Sequence, residues 1–272
     1  MDPLLQEKKD KLYAIIRDMG GCVVGFSGGV DSTLLFAVAA ELLGDRALAV
    51  TATSETYPER ELREASEFAR KIGGRHRVVE SEELDIPGFA ENPKNRCYYC
   101  KSELFTKLRK VADEEGLPYV LDGSNLDDRG DYRPGKQAAC ELNVRSPLDE
   151  AGLSKDDIRA LSKDMDLPTW DKPSFACLSS RFPYGTTITR EKVSQVGRAE
   201  ESLRELGLRT IRVRHHGDMA RIELGPAEFD RVVNGLRDDV IRLVKSAGYT
   251  YVALDLQGYR TGSMNEVLEK SA

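Results

Sequence analysis

The chain has 272 residues, 40% hydrophobic and 32% charged, with a formal net charge of -6 at pH 7. That length suits one large domain or two modest ones, and the composition is that of an ordinary water-soluble globular protein. No run approaches the roughly 18 apolar residues of a membrane span, and the mixed-charge opening Met1 to Asp10 does not read as a signal peptide. The negative charge argues against a nucleic-acid partner, so a cytoplasmic protein with no membrane or nucleic-acid partner is expected.

An amphipathic helix opens the chain (Leu4, Leu5, Leu12, Ile15, Ile16, Met19) and stops at Gly20-Gly21. Cys22 to Phe26 is apolar on both faces and reads as a buried parallel strand, followed by a helix over Asp31–Leu43. A strand over Ala47–Thr53 comes next, then a helix over Pro58–Ile72 with Pro58 in its first turn. A strand His76–Val79, a helix Lys101–Glu115 and a strand Tyr119–Asp122 continue the alternation. Ser154 with Asp157 caps a further helix running to about Met165. This order predicts an α/β fold, a doubly wound parallel sheet with ligand at the strand C-termini. Leu167 to Arg190, with Pro168, Pro173, Pro183 and Gly185, reads as a long ordered loop. A helix Glu191–Leu206, strands Thr210–Arg214 and Ala220–Leu224, a helix near Phe229–Ala247 and a strand Tyr249–Leu256 predict a smaller α+β second domain. The expected boundaries are 1–167, 168–190 for the linking loop with Cys177, and 191–272.

Ser27-Gly28-Gly29-Val30-Asp31-Ser32 lies between the first strand and its helix. The glycines let backbone N–H groups approach phosphate oxygens, Ser27, Ser32 and Thr33 add hydroxyl donors, and the helix start favours an anion. No lysine follows the glycines, so this is not the kinase-type phosphate loop. The hexapeptide instead resembles the PP-loop of ATP pyrophosphatases, of the adenine nucleotide α-hydrolase-like fold. That resemblance implies ATP binding with release of pyrophosphate, and a Mg²⁺ ion held by Asp31. It also implies nucleotide contacts from Thr53 and Ser54, which end the second strand. Asp122, Gly123 and Asn125 sit at another strand end, where carboxylates suit ribose or metal contacts.

Five cysteines in such a chain do not suggest a disulfide framework. Cys22 and Cys140 read as buried packing residues. Cys97 and Cys100 have C-x-x-C spacing before a helix, and Cys177 lies in the long loop. Two thiolates cannot complete a structural zinc site, whereas three can hold a [4Fe–4S] cluster with one iron open; a redox dithiol or an inert trio are the alternatives. Arg212 and Arg214 alternate on one strand face, and with Ser180 and Arg181 of the loop they form a candidate phosphate site. Glu200 and Glu223 read as solvated charges, and His215 and His216 as ordinary surface and core residues.

The whole chain resembles the LarE family of ATP-dependent sulfur transferases, which serve nickel-pincer nucleotide synthesis. The resemblance is carried by Ser27–Thr33, Val120–Asn125, Asp131–Gly135, Ser179–Thr187, Arg212-Val213-Arg214 and Leu254-Asp255-Leu256. It implies adenylation of one carboxylate of a pyridinium dicarboxylate mononucleotide, then displacement of AMP by sulfur to leave a thiocarboxylate, in a homo-oligomer. Within the family, a lone cysteine gives up its own sulfur, or three cysteines hold a cluster that lends a sulfide. Cys97, Cys100 and Cys177 match the three-cysteine pattern. The competing expectations are a tRNA thiolase or amidating ligase of the same superfamily, and a non-catalytic ATP sensor.

Overall fold

The computed structural model describes residues 2–130, 134–260 and 262–266. Asp131, Tyr132 and Arg133 of the family-like stretch lie outside the described residues. The chain divides into two compact units, Met1–Ile86 with Asn95–Phe175, and Pro87–Lys94 with Ala176–Ala272.

In the first unit, helix α1 (Pro3–Met19) begins with proline and ends where Gly20 adopts a left-handed conformation and donates its N–H to the Arg17 carbonyl. Strand β1 (Cys22–Gly25) runs into helix α2 (Val30–Leu43), and β2 (Ala47–Thr53) into α3 (Glu59–Ile72). Strand β3 (Arg75–Glu80), helix α4 (Arg96–Glu114) and strand β4 (Tyr119–Leu121) follow. All four strands are parallel, in the order β3-β2-β1-β4. β1 and β2 are buried along most of their length because helices cover both sheet faces. On one face Leu12 and Ile16 of α1, Leu34, Leu35 and Phe36 of α2 and Ala65 and Ala69 of α3 form a core with Val24 and Ala49. On the other, Phe105, Leu108 and Val111 of α4 cover Val23, Leu48 and Val120. Each such buried leucine or phenylalanine contributes about 1.5–3 kcal/mol, so these layers hold the strand ends rigidly in place. Short helices α5 (Gly135–Glu141) and α6 (Pro147–Glu150) lead to α7 (Lys155–Asp164), which carries the expected capping box between Ser154 and Asp157.

Several local expectations need correction. Pro58 is the N-cap of α3, not a first-turn residue. Helix α4 starts five residues before Lys101, so Cys97 and Cys100 belong to its opening turns. The Tyr98 hydroxyl donates to Glu141 of α5 at 2.7 Å, which ties that early turn down. Cys22 is buried, and burial pushes its thiol up to about 12, but Cys140 is exposed on α5.

The second unit is built on helix α8 (Arg190–Glu205) and a mixed sheet, β5 (Ile211–His216) antiparallel to β6 (Met219–Leu224), and β6 parallel to the later strand. Between them lie α9 (Pro226–Arg231), a π turn (Val232–Leu236) and α10 (Arg237–Ser246), where one continuous helix is expected from the sequence. Strand β7 (Tyr251–Leu254) is shorter than its alternating pattern suggests. The excursion Pro87–Lys94 belongs to this unit: Nδ2 of the buried Asn92 donates to the carbonyls of Phe182 and Pro183 at 3.1 and 2.7 Å. The Gly185 and Ile188 N–H groups in turn donate to the carbonyls of Asn92 and Ala90. Among the described residues no helix is long and apolar enough to cross a membrane.

Candidate active site

The strand order reverses between β1 and β4, and the crevice at such a reversal is where open α/β sheets bind ligands. The loop leaving β1 is Phe26 to Gly29, and Gly29 caps α2. Gly28 has φ +63, and a Cβ there would sit 3.0 Å from Ala65 of α3, so both backbone conformation and space demand glycine. The Ser27 and Ser32 hydroxyls share a hydrogen bond of 3.2 Å, and Ser32 Oγ also receives the Ser27 N–H. Thr33 donates its N–H to the Gly29 carbonyl, and its fully buried hydroxyl has no partner among the described residues.

Asp31, in the first turn of α2, is half-buried. Its Oδ1 accepts from Asn125 Nδ2 at 3.3 Å, and its Oδ2 lies 2.5 Å from Lys155 Nζ. Asn125 is in turn held by Asp128, which accepts its N–H at 3.0 Å. Asp122 accepts from the Ser124 and Ser146 hydroxyls at 2.7 and 2.6 Å. Gly123 closes the constellation: a Cβ there would stand 3.2 Å from both Asp31 Cβ and the Ser32 nitrogen. Asp31, Gly123 and Asn125 thus meet at the β1–β4 reversal, and Asp122 stands beside Gly123 in the chain. Lys155 is the participant that sequence reading misses. It stands 124 residues from Asp31, and only the Ser154 capping box marks its place at the start of α7. The Asp31 carboxylate is a hard oxygen donor of the kind Mg²⁺ uses together with phosphate oxygens, whereas Asn125 turns its Nδ2 to Asp31 and its Oδ1 to the Asp127 N–H. Thr53 and Ser54 lie at the end of β2, where Ser54 Oγ hydrogen-bonds Thr56 Oγ1 at 3.1 Å.

The trio Cys97, Cys100 and Cys177 divides between the two units. Cys97 is exposed, and Cys100, one helical turn on, donates its thiol to Glu83 at 2.9 Å. Both belong to the first unit and Cys177 to the second. Among the described residues no three His, Cys, Asp or Glu side chains are gathered in a metal-holding group.

In the second unit Arg181 is fully buried. It pairs bidentately with Glu200 at 2.7 and 2.9 Å and donates to the carbonyls of Ala176 and Cys177. Glu200 and Glu223 are buried, which overturns the reading of both as solvated charges. Burial opposes the Glu200 charge, but Arg181 outweighs it, so its carboxyl lies below the usual range. Arg214 reaches Glu223 at 2.6 Å, Ser263 at 2.9 Å and the Ser180 carbonyl at 2.8 Å, while its buried Nε has no partner among the described residues. Arg212 lies over the Tyr259 ring at 4.9 Å, and burial followed by the Arg181 charge holds its guanidinium below the ordinary value. His215 is a core residue against Tyr249, and His216 is exposed. Ser180, Arg181, Arg212 and Arg214 therefore belong to one polar cluster, in which Arg181 serves the framework. Removing one partner of a buried pair leaves the other charge uncompensated, so Glu200→Ala should cost about 3–5 kcal/mol in urea denaturation. Because the folded carboxyl is held low, that stabilisation is present above the unfolded value near about 4.3 and is lost as pH falls through the folded one.

A parallel sheet whose first strand enters a helix through Ser-Gly-Gly-Val-Asp-Ser, with acidic and amide groups at the strand reversal, defines a PP-loop nucleotide enzyme. The NAD synthase family matches residues 5–104. The chain is 45% identical to an uncharacterized protein of Synechocystis sp., covering 98% of this chain and all of that one. It is 41% identical to the pyridinium-3,5-bisthiocarboxylic acid mononucleotide synthase of Lactiplantibacillus plantarum, covering 98% of this chain and 97% of that one. An uncharacterized protein of Methanocaldococcus jannaschii is 28% identical, covering 88% of this chain and 90% of that one. The chain belongs to the LarE family of ATP-dependent sulfur transferases, and it is an enzyme.

Proposed function

We propose that the protein is a cytoplasmic, homo-oligomeric enzyme that converts a carboxylate of a pyridinium dicarboxylate mononucleotide to a thiocarboxylate at the expense of ATP. The observation that carries this is the meeting of Asp31, Asn125 and Gly123 beside the phosphate loop, together with the relationship to the L. plantarum synthase. In this reading Ser27, Gly28, Gly29, Ser32 and Thr33 bind the β- and γ-phosphates. Thr53, Ser54, Asp122 and Asn125 orient the nucleoside. The substrate carboxylate attacks the α-phosphorus, forming an acyl adenylate as the bond to pyrophosphate breaks. Asp31 would hold Mg²⁺, which balances charge on the departing pyrophosphate.

Sulfur then displaces AMP, and its delivery is assigned to Cys177, with Cys97 and Cys100 as the further cysteines. Bound at those three residues, a [4Fe–4S] cluster would supply an exchangeable sulfide. In the second reading Cys177 gives up its own sulfur, and Arg181 fixes that residue's backbone by donating to its carbonyl at 3.1 Å. Domain roles follow the same division: the PP-loop domain adenylates, and the smaller α+β domain with the Cys177 loop holds the substrate.

Ser180, Arg212 and Arg214 are assigned to the substrate phosphate, with Arg181 supporting them through Glu200. Arg212→Ala and Arg214→Ala should then weaken mononucleotide binding roughly ten- to hundredfold, the loss of a charge-assisted hydrogen bond, and leave ATP affinity nearly unchanged. Isothermal titration with each ligand checks this, and equal losses for both would count against a separate phosphate pocket. The proposal as a whole is tested by incubating protein, ATP, Mg²⁺ and the dicarboxylate mononucleotide. AMP, pyrophosphate and a substrate-derived thiocarboxylate should appear by mass spectrometry.

A further inference from the structure

The phosphate loop is gripped from behind by two side chains that the reaction scheme does not use. The Tyr57 hydroxyl donates to the Ser27 carbonyl at 2.9 Å. Lys172 Nζ donates to the Gly28 carbonyl at 3.2 Å and reaches Glu61 at 2.8 Å and Glu64 at 2.9 Å. Those three acceptors use all three N–H bonds of the ammonium group, so its direction is determined. Lys172 itself is placed by its backbone: its N–H donates to the Thr169 carbonyl, and its carbonyl accepts from Arg159 at 2.9 Å. Tyr57 is held edge-on against Phe175, with ring centroids 5.8 Å apart. Burial, then Glu61 and Glu64, pushes its phenol well up, so it remains an O–H donor.

A trans peptide is planar, and its N–H points opposite to its C=O. Anchoring the Ser27 carbonyl therefore orients the Gly28 N–H, and anchoring the Gly28 carbonyl orients the Gly29 N–H. The Gly29 N–H faces Ser27 Oγ at 3.4 Å, on the side where the Ser27 and Ser32 hydroxyls gather. Successive N–H groups held this way form an anion-binding concavity, and Gly28 at φ +63 supplies the left-handed residue such a nest needs. We propose that Tyr57 and Lys172 are positioning residues of the phosphate loop, holding two consecutive carbonyls so that the Gly28 and Gly29 amides are aimed at the pyrophosphate portion of the nucleotide. The inference rests on the proposed binding of ATP by this loop. Both anchors depend on 166–175, the stretch ending two residues before Cys177, so the loop that leads to the sulfur-delivering cysteine also sets the phosphate nest.

The test uses the full-length chain and equilibrium binding of three probes: ATP, inorganic pyrophosphate and AMP. Tyr57→Phe removes one hydroxyl and keeps the ring, and Lys172→Met removes the ammonium and keeps most of the stem. The expected result is weaker binding of pyrophosphate and ATP, roughly fivefold for Tyr57→Phe and tenfold or more for Lys172→Met, with AMP unaffected. Unchanged pyrophosphate affinity in both variants overturns the proposal. So does a parallel loss for all three probes, which marks general packing. Should Lys172→Met fail to fold, Tyr57→Phe alone decides. A parent protein that binds neither ATP nor pyrophosphate removes the ATP-dependent reading as well, which separates the two failures.

Discussion

Asp31→Asn is expected to fold normally and to form neither AMP nor pyrophosphate. The carboxylate lies in the first turn of α2, where it meets Asn125 and Lys155 beside the phosphate loop. Asparagine keeps the size and the Oδ1 acceptor but loses the charge that would hold Mg²⁺ against the departing pyrophosphate. Loss of one such stabiliser costs about 10²–10³-fold in turnover, and loss of the metal ligand more. Stability should hardly change, because the Asp31–Lys155 pair is 23% and 32% exposed and pairs of that kind contribute about 0–1 kcal/mol. The measurement is pyrophosphate release alongside thermal unfolding. A folded variant that releases pyrophosphate at the parental rate would remove Asp31 from the chemistry.

Cys177→Ala should separate the two halves of the reaction. AMP and pyrophosphate still form, because the residues proposed to adenylate belong to the other unit, but no thiocarboxylate appears. Cys97→Ala and Cys100→Ala then divide the sulfur routes. If a cluster serves, each of the three substitutions abolishes the visible iron–sulfur absorbance of protein prepared without oxygen, and multiple turnover with it. If Cys177 is consumed, the Cys97 and Cys100 variants still complete one turnover per chain. The spent chain is then lighter by the elements of hydrogen sulfide at residue 177. Thiocarboxylate formed by Cys177→Ala would exclude both routes.

What is legible in the sequence is local. The phosphate loop declares itself because glycine, hydroxyl and carboxylate residues sit between an apolar run and a helix, and the Ser154–Asp157 cap is a four-residue signal. The parallel sheet follows from alternation alone. Contacts that depend on distant partners are not readable. Lys155 reaches Asp31 and Lys172 reaches Gly28 across more than a hundred residues, and each looks like any other lysine in a polar stretch. Glu200 and Glu223 escape the sequence because glutamate is usually solvated; each is buried only because an arginine from another element reaches it. The start of α4 escapes it too, because Cys97-Tyr98-Tyr99-Cys100 has weak helix propensity, and packing against α5 overrides it.

The excursion Pro87–Lys94 has a consequence for inheritance. The backbone passes between the two units at 86/87, 94/95 and 175/176. A single break at 175/176 therefore does not release an intact C-terminal cassette, since the fragment from Ala176 onward lacks the strand of chain whose Asn92 fastens Phe182 and Pro183. The smaller unit cannot be gained, lost or exchanged by fusion at one junction, as an appended module can. Substitutions on either side of these junctions must be accommodated together, and chimaeras between relatives will keep their function only when residues 87–94 travel with residues 176 onward.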